Sequence, residues 1–156
     1  MSNDSSQNED CHLKPITKER LSMDRHADHI LEYTELVQSN LERLADILTN
    51  LQNKYGKQFV LTSGWRPRSL NAQKGGSKAS KHIDGLAADI GDVDGAIMSW
   101  ILQNIDIVKN LGIYIEDFRW TPTWVHLQIK APNSKKTIYI PNDKPAPAPD
   151  RWDGKY

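Results

Sequence analysis

One cysteine, no net charge and no long apolar run set the first limits on this chain of 156 residues. Cys11 has no partner for an internal disulfide, and no Cys-x-x-Cys pair exists to hold a structural metal. Lys plus Arg and Asp plus Glu stand at 20 each, so the basic surplus of a nucleic-acid-binding domain is missing. No apolar stretch approaches the ~20 residues of a membrane span. Met1 to Asp10 is mostly Ser, Asn, Gln, Asp and Glu, without the basic start and apolar core of a secretory signal. Synthesis in a reducing cytoplasm is the expectation, and a substrate outside it would require a separate delivery route. No internal repeat is visible.

The length suits one domain that buries a core without staples. Residues 1–14 read as a flexible lead, 15–141 as a single domain and 142–156, with Pro145, Pro147 and Pro149, as a Pro-rich tail. From Asp24 to Tyr55 the residues Ile30, Leu31, Leu36, Val37, Leu41, Leu44, Ile47, Leu48, Leu51 and Tyr55 recur at helical spacing. This predicts one long helix, or two joined near Gln38-Ser39-Asn40, ending at Gly56. Phe59-Val60-Leu61 is a short β-type run. Residues 63–80, rich in Gly, Pro, Ser and Asn, predict a long irregular loop of the kind that often carries function. Leu86 to Ile90 reads as a strand. Asp94 is placed to cap a helix through about Lys109, with Ile97, Ile101, Ile105 and Val108 inward. Gly112–Phe118 and Trp124–Ile129 predict a hairpin turning at Thr121-Pro122, and Lys136–Ile140 a further strand. Helices first and neighbouring strands after them indicate an α+β fold with a central antiparallel sheet and helices packed on it.

The densest chemistry lies in Ser80-Lys81-His82-Ile83-Asp84-Gly85-Leu86-Ala87-Ala88-Asp89 and in Trp124-Val125-His126. Two imidazoles and a carboxylate are a common ligand set for a catalytic zinc, leaving the fourth tetrahedral position open. His82 and Asp89 are seven apart. On one helix they would sit two turns, about 10 Å, from each other, and on one strand farther still. They can share an ion only if the chain bends between them, and Gly85 supplies a hinge without Cβ. Val125 and Leu127 flank His126, so its side chain points to the opposite face of the strand. Taken alone, His82, Asp89 and His126 read more readily as unrelated side chains, and it is the context that shifts the reading.

The surrounding motifs resemble those of the zinc D-Ala-D-Ala carboxypeptidases and related peptidoglycan peptidases. That family includes the vancomycin-resistance D,D-dipeptidases and shares a metal site with the N-terminal domain of hedgehog proteins. Its Ser-x-His-x-x-Gly-x-Ala-x-Asp pattern is matched by Ser80, His82, Gly85, Ala87 and Asp89. Its Ser-Gly-aromatic-Arg is matched by Ser63-Gly64-Trp65-Arg66, and its Trp-Val-His by Trp124-Val125-His126. Leu70-Asn71 and Gly75-Gly76-Ser77 look like the variant of phage-type members. The resemblance covers roughly residues 58–130. It implies a hedgehog/DD-peptidase-like fold, Zn²⁺ as cofactor, His82, Asp89 and His126 as its ligands, and Arg66 as an anchor for a substrate carboxylate or carbonyl oxygen. A guanidinium fork suits that role because it binds carboxylate bidentately and keeps its charge. Ser80 is placed either to hydrogen-bond substrate or to cap its own loop.

One position departs from the family pattern. Many members carry an acid three residues before the last His as general base, and here that residue is Thr123, whose hydroxyl cannot take a proton near neutral pH. Some phage-type members carry a Glu on the preceding strand of the hairpin instead. Across such a hairpin Glu116 would come beside His126, since opposed side chains on one face lie about 5 Å apart. Asp117 is the alternative base. Trp65, Trp120 and Trp124 either line a cleft or pack the core. The resemblance implies cleavage of a peptidoglycan stem peptide, at D-Ala-D-Ala or a nearby bond, by a phage endolysin or virion-associated lysin. The second reading is a catalytically degenerate member that binds wall, or that joins a virion through the amphipathic N-terminal helix. No nucleic-acid partner is expected.

Overall fold

The computed structural model describes residues 13–76 and 79–141. The lead up to residue 12, Ser77 and the Pro-rich tail from residue 142 lie outside the described residues. The architecture is α+β. A short helix α1 (Lys18–Leu21) and a long helix α2 (Glu35–Tyr55) come first. They are followed by β1 (Leu61–Ser63), α3 (Arg68–Gln73) and β2 (Ala87–Gly91). Then come α4 (Ala96–Gln103), α5 (Ile105–Asn110), β3 (Tyr114–Glu116), β4 (Trp124–Gln128) and β5 (Ile138–Tyr139). The strands form one sheet in the order β1-β2-β4-β3-β5. All pairings are antiparallel except β3 with β5, which is parallel.

The predicted helix is real but shorter than its periodicity suggests. Met23 and Asp24 both adopt φ of 57°, which ends α1 and keeps the next residues out of a helix. The chain turns until Thr34, whose hydroxyl caps α2 by accepting from the Val37 N–H at 3.2 Å. Ile30, Leu31 and Leu36 therefore miss the buried stripe and are 65%, 93% and 70% exposed. From Val37 onward the pattern holds without a break at 38–40. Leu41, Leu44, Leu48 and Leu51 are fully buried at intervals of three and four. Each contributes about 1.5–3 kcal/mol of burial. Gly56, left-handed at φ 86°, closes the helix by donating its N–H to the Gln52 carbonyl. Gln52 is itself buried, and its amide joins Lys14 to Phe59: Nε2 donates to the Lys14 carbonyl and Oε1 accepts from the Phe59 N–H.

Two other expectations are corrected. Residues 94–109 form two helices, because the Asn104 side chain donates to the Trp100 carbonyl at 2.8 Å and displaces the backbone bond the helix needs there. The cap of α4 is shared. Asp94 accepts from Ala96, but the buried Asp92 carboxylate accepts from both Ile97 and Met98, at 2.8 and 3.0 Å. The loop after β1 is also less irregular than its composition suggests, since it contains α3.

The face of the sheet carrying Ile90, Val125, Leu127 and Ile115 joins α2 in one core. Trp65 is fully buried within it, its indole N–H donating to the Ile83 carbonyl, so it is a core residue. Two glycines let the backbone segments that carry the site approach this core. At Gly64 a Cβ would lie 2.3 Å from the Leu21 carbonyl oxygen. At Gly85, φ is 74° and a Cβ would meet Leu41 and the Val37 carbonyl at 3.0 Å.

Candidate metal centre and cleft

Three segments bring His82, Asp89 and His126 together. β2 and β4 pair in a register that sets Asp89 directly opposite His126. His82 lies in the turn before β2, and Gly85 folds that turn back on α2. One ligand atom from each of the three side chains lies within 4.8 Å of the others. His82 Nε2 is 3.4 Å and His126 Nδ1 is 2.9 Å from the same oxygen, Asp89 Oδ1. The two rings stand edge to face with centroids 5.1 Å apart, and all three side chains are largely buried.

The hydrogen bonds around the rings test whether this donor set suits a metal. His82 Nδ1 faces the Gly64 carbonyl at 2.8 Å. A carbonyl only accepts, so Nδ1 carries the proton and Nε2 presents its lone pair to Asp89. His126 is fixed the other way round. Its Nε2 lies 3.0 Å from Gln128 Oε1, leaving Nδ1 toward Asp89. Two imidazole lone pairs and a carboxylate oxygen thus converge. That arrangement needs a cation between them, either a proton or a metal ion. The residues fit a divalent metal with nitrogen and oxygen preference, and zinc suits such a set.

The ionisation of the group agrees. Burial raises the Asp89 carboxyl, but hydrogen bonds and charge from His126 and His82 outweigh it and hold Asp89 well below the usual carboxylate range. Burial lowers His126. The Asp89 carboxylate, the Gln128 oxygen and the Glu116 charge outweigh that, so the ring holds a proton more tightly than a free imidazole.

A cleft of about 590 Å³ opens over this group. Arg66, Ser80, Glu116 and Trp124 are on its wall with the three central residues. Arg66 is aimed by two bonds, Nη1 donating to Asn71 Oδ1 at 3.2 Å and Nη2 to Ser63 Oγ at 3.4 Å. Ser80 Oγ accepts from the His82 N–H at 3.3 Å, the loop-capping role. β3 and β4 pair as the predicted hairpin, with Tyr114 opposite Gln128 and Ile115 opposite Leu127. Glu116, the next residue of β3, lines the same cleft as His126, and its charge acts on that ring. Asp117 takes the other face: it is fully buried and held by Arg119, whose Nε and Nη2 donate to its carboxylate at 3.0 and 2.6 Å. Thr123 is exposed, and its carbonyl accepts from the Asp92 N–H.

Gln128 and Tyr139 also face the cleft, and neither stands out in the sequence. Gln128 is recoverable, because it lies two residues after His126 on one strand and so shares its face. Tyr139 is not, since its place depends on the parallel pairing of β5, which periodicity does not announce. No helix among the described residues is long and apolar enough to cross a membrane.

No curated protein matches the chain. A protein-family model does, that of peptidase M15, over residues 15–128, which span the five helices, β1 to β4 and all three convergent side chains. With that match extending over most of its length, the chain belongs to the peptidase M15 family.

Proposed function

We propose that this member of a metallopeptidase family is a zinc-dependent hydrolase of peptidoglycan stem peptides, cutting at D-Ala-D-Ala or a nearby bond. The observation that carries the reading is the convergence of His82 Nε2, His126 Nδ1 and Asp89 Oδ1 at the floor of a cleft that also holds a carboxylate, Glu116, and a guanidinium, Arg66. His82, Asp89 and His126 would hold the ion. When bound, zinc supplies Lewis acidity, polarising the scissile carbonyl and easing attack by water near neutral pH.

The remaining steps belong to side chains of the chain itself. Glu116 accepts the proton of the attacking water and returns it to the leaving amine. Its place in the cleft with His126 lets it serve as the base that Thr123 cannot. Asp117 is committed to Arg119 and is not the base. Arg66, aimed by Asn71 and Ser63, binds a substrate carboxylate with its planar fork. Ser80 spends a lone pair on its own loop and keeps its O–H to donate to a peptide carbonyl. The carboxylate in the cleft favours an enzyme over a wall-binding relic.

The test is mass spectrometry of purified peptidoglycan fragments after incubation with the protein, with and without chelator. Loss of a terminal D-Ala identifies a carboxypeptidase, and a split stem or cross-link an endopeptidase. No metal-dependent mass change in any wall fragment would overturn the proposal.

A further inference from the structure

We propose that Gln128 is a positioning residue that locks the tautomer of His126, so that Nδ1 and not Nε2 is the atom offered to a metal. The inference rests on the reading of His82, Asp89 and His126 as a zinc site and adds the device that sets which nitrogen binds.

The argument begins at Lys130. Its backbone carbonyl only accepts, so the group of Gln128 that lies 2.6 Å away is the amide NH₂. The other end of that amide, Oε1, is therefore the atom facing His126 Nε2 at 3.0 Å. Tyr139 reinforces the orientation by donating its hydroxyl to the same Oε1 at 2.7 Å. An amide oxygen carries two lone pairs. One takes the Tyr139 hydroxyl and the other takes a hydrogen from His126 Nε2. Gln128, Tyr139 and His126 are 4%, 8% and 8% exposed, so water does not compete for these bonds.

A neutral imidazole protonated at Nε2 has its lone pair at Nδ1, the atom 2.9 Å from Asp89. His82 has the opposite arrangement, enforced by the Gly64 carbonyl. The centre therefore uses unlike nitrogens from its two histidines. The reason is geometric. His126 is the direct cross-strand partner of Asp89, and its nearer ring nitrogen meets the carboxylate. His82 reaches in from a turn and presents its far nitrogen. An outer partner of this kind typically changes metal affinity 10–100-fold when removed.

The experiment uses the full chain and Zn²⁺ as probe. Long-range ¹H–¹⁵N correlation spectra of the zinc-loaded wild type are expected to show His126 metal-bound at Nδ1 and protonated at Nε2, and His82 the reverse. By competition with a chromogenic chelator, Gln128→Leu is expected to bind zinc about 10–100-fold more weakly. Gln128→Glu keeps the acceptor oxygen for His126 but gives up the bond to the Lys130 carbonyl, so it should melt lower than wild type while keeping the same nitrogen pattern and binding zinc more tightly than Gln128→Leu. A role in packing alone would lower the melting temperature of both variants and leave affinity and ring assignments unchanged, and that result overturns the proposal. If Gln128→Leu does not fold, the wild-type spectrum decides alone: zinc on Nε2 of His126 refutes the lock. A wild type that takes up no zinc refutes the metal site itself, a failure distinct from zinc bound through the wrong nitrogen.

Discussion

Asp89 and His126 are direct cross-strand partners on neighbouring antiparallel strands, and Asp89 Oδ1 lies 2.9 Å from His126 Nδ1. The same oxygen lies 3.4 Å from His82 Nε2, so one carboxylate joins both rings. Asp89→Asn would keep the shape and lose the negative charge. Zinc binding is expected to weaken by more than ~100-fold, beyond the usual cost of losing an outer partner. Elemental analysis of protein purified without chelator checks this. Stoichiometric zinc in Asp89→Asn would show that the carboxylate is not a ligand.

Proton and metal compete for this centre, which gives a pH prediction for the metal-free protein. His126 holds its proton more tightly when folded than when unfolded. Its contribution to stability is full below the ordinary histidine range and is lost as pH rises through the raised folded value. Asp89 has a depressed pKa, so its contribution is present above the ordinary carboxylate range and is lost as pH falls. The pair therefore stabilises the metal-free fold most between roughly pH 4 and 6.5, the two unfolded reference values. Zinc affinity should run the other way, rising with pH as the proton leaves. Melting curves across pH, with zinc and with chelator, should diverge most above neutrality. Parallel curves at all pH values would refute the competition. Chelation alone should not unfold the chain, because the α2 and sheet core is built without the ion.

Arg66 tests the substrate anchor. Arg66→Lys keeps the charge but replaces a planar fork with a point charge. Lysine also cannot repeat both bonds, to Asn71 and Ser63, with the same aim. Turnover of wall peptides is expected to fall by one to two orders of magnitude, about 1.4–3 kcal/mol, with zinc content unchanged. Full activity in Arg66→Ala would remove Arg66 from the site.

How much of this could be read beforehand depended on the range of the interaction. The stripe Leu41, Leu44, Leu48 and Leu51 announces its helix because periodicity is local. Ile30, Leu31 and Leu36 continue that stripe in sequence but not in space, since left-handed backbone at Met23 and Asp24 and the Thr34 cap override the pattern. The convergence of His82 with Asp89 was foreseeable through Gly85, the one residue whose positive φ turns the segment back. Its motif resemblance agrees with the family assignment. What was hidden is relational. Register sets Asp89 against His126, the parallel strand β5 delivers Tyr139, and Asp92 rather than Asp94 supplies most of the cap. Each joins segments that no local window contains.

Glu116 and Asp117 are adjacent in sequence and opposite in circumstance, which makes them the sharpest test of catalysis. Glu116 lies on the cleft wall, close enough for its charge to act on His126. Asp117 is buried and bound bidentately by Arg119. Glu116→Gln should lower peptide cleavage by roughly 10²–10⁴-fold, the usual contribution of positioned proton transfer. Zinc content should hold, because the carboxylate is not assigned as a ligand. Asp117→Asn should act differently. Removing the charge of a fully buried carboxylate that holds Arg119 should cost stability and lower the melting temperature. The fraction that stays folded should cleave at close to the wild-type rate. The two variants therefore separate on two axes, rate per folded molecule and melting temperature. A reversed result, with Asp117→Asn silent in melting but dead in turnover, would move the base by one residue and require the β3–β4 register to shift with it. If wild type and both variants alike cleave nothing while zinc is bound, the acid missing at Thr123 decides, and the chain is a binding member of a peptidase family.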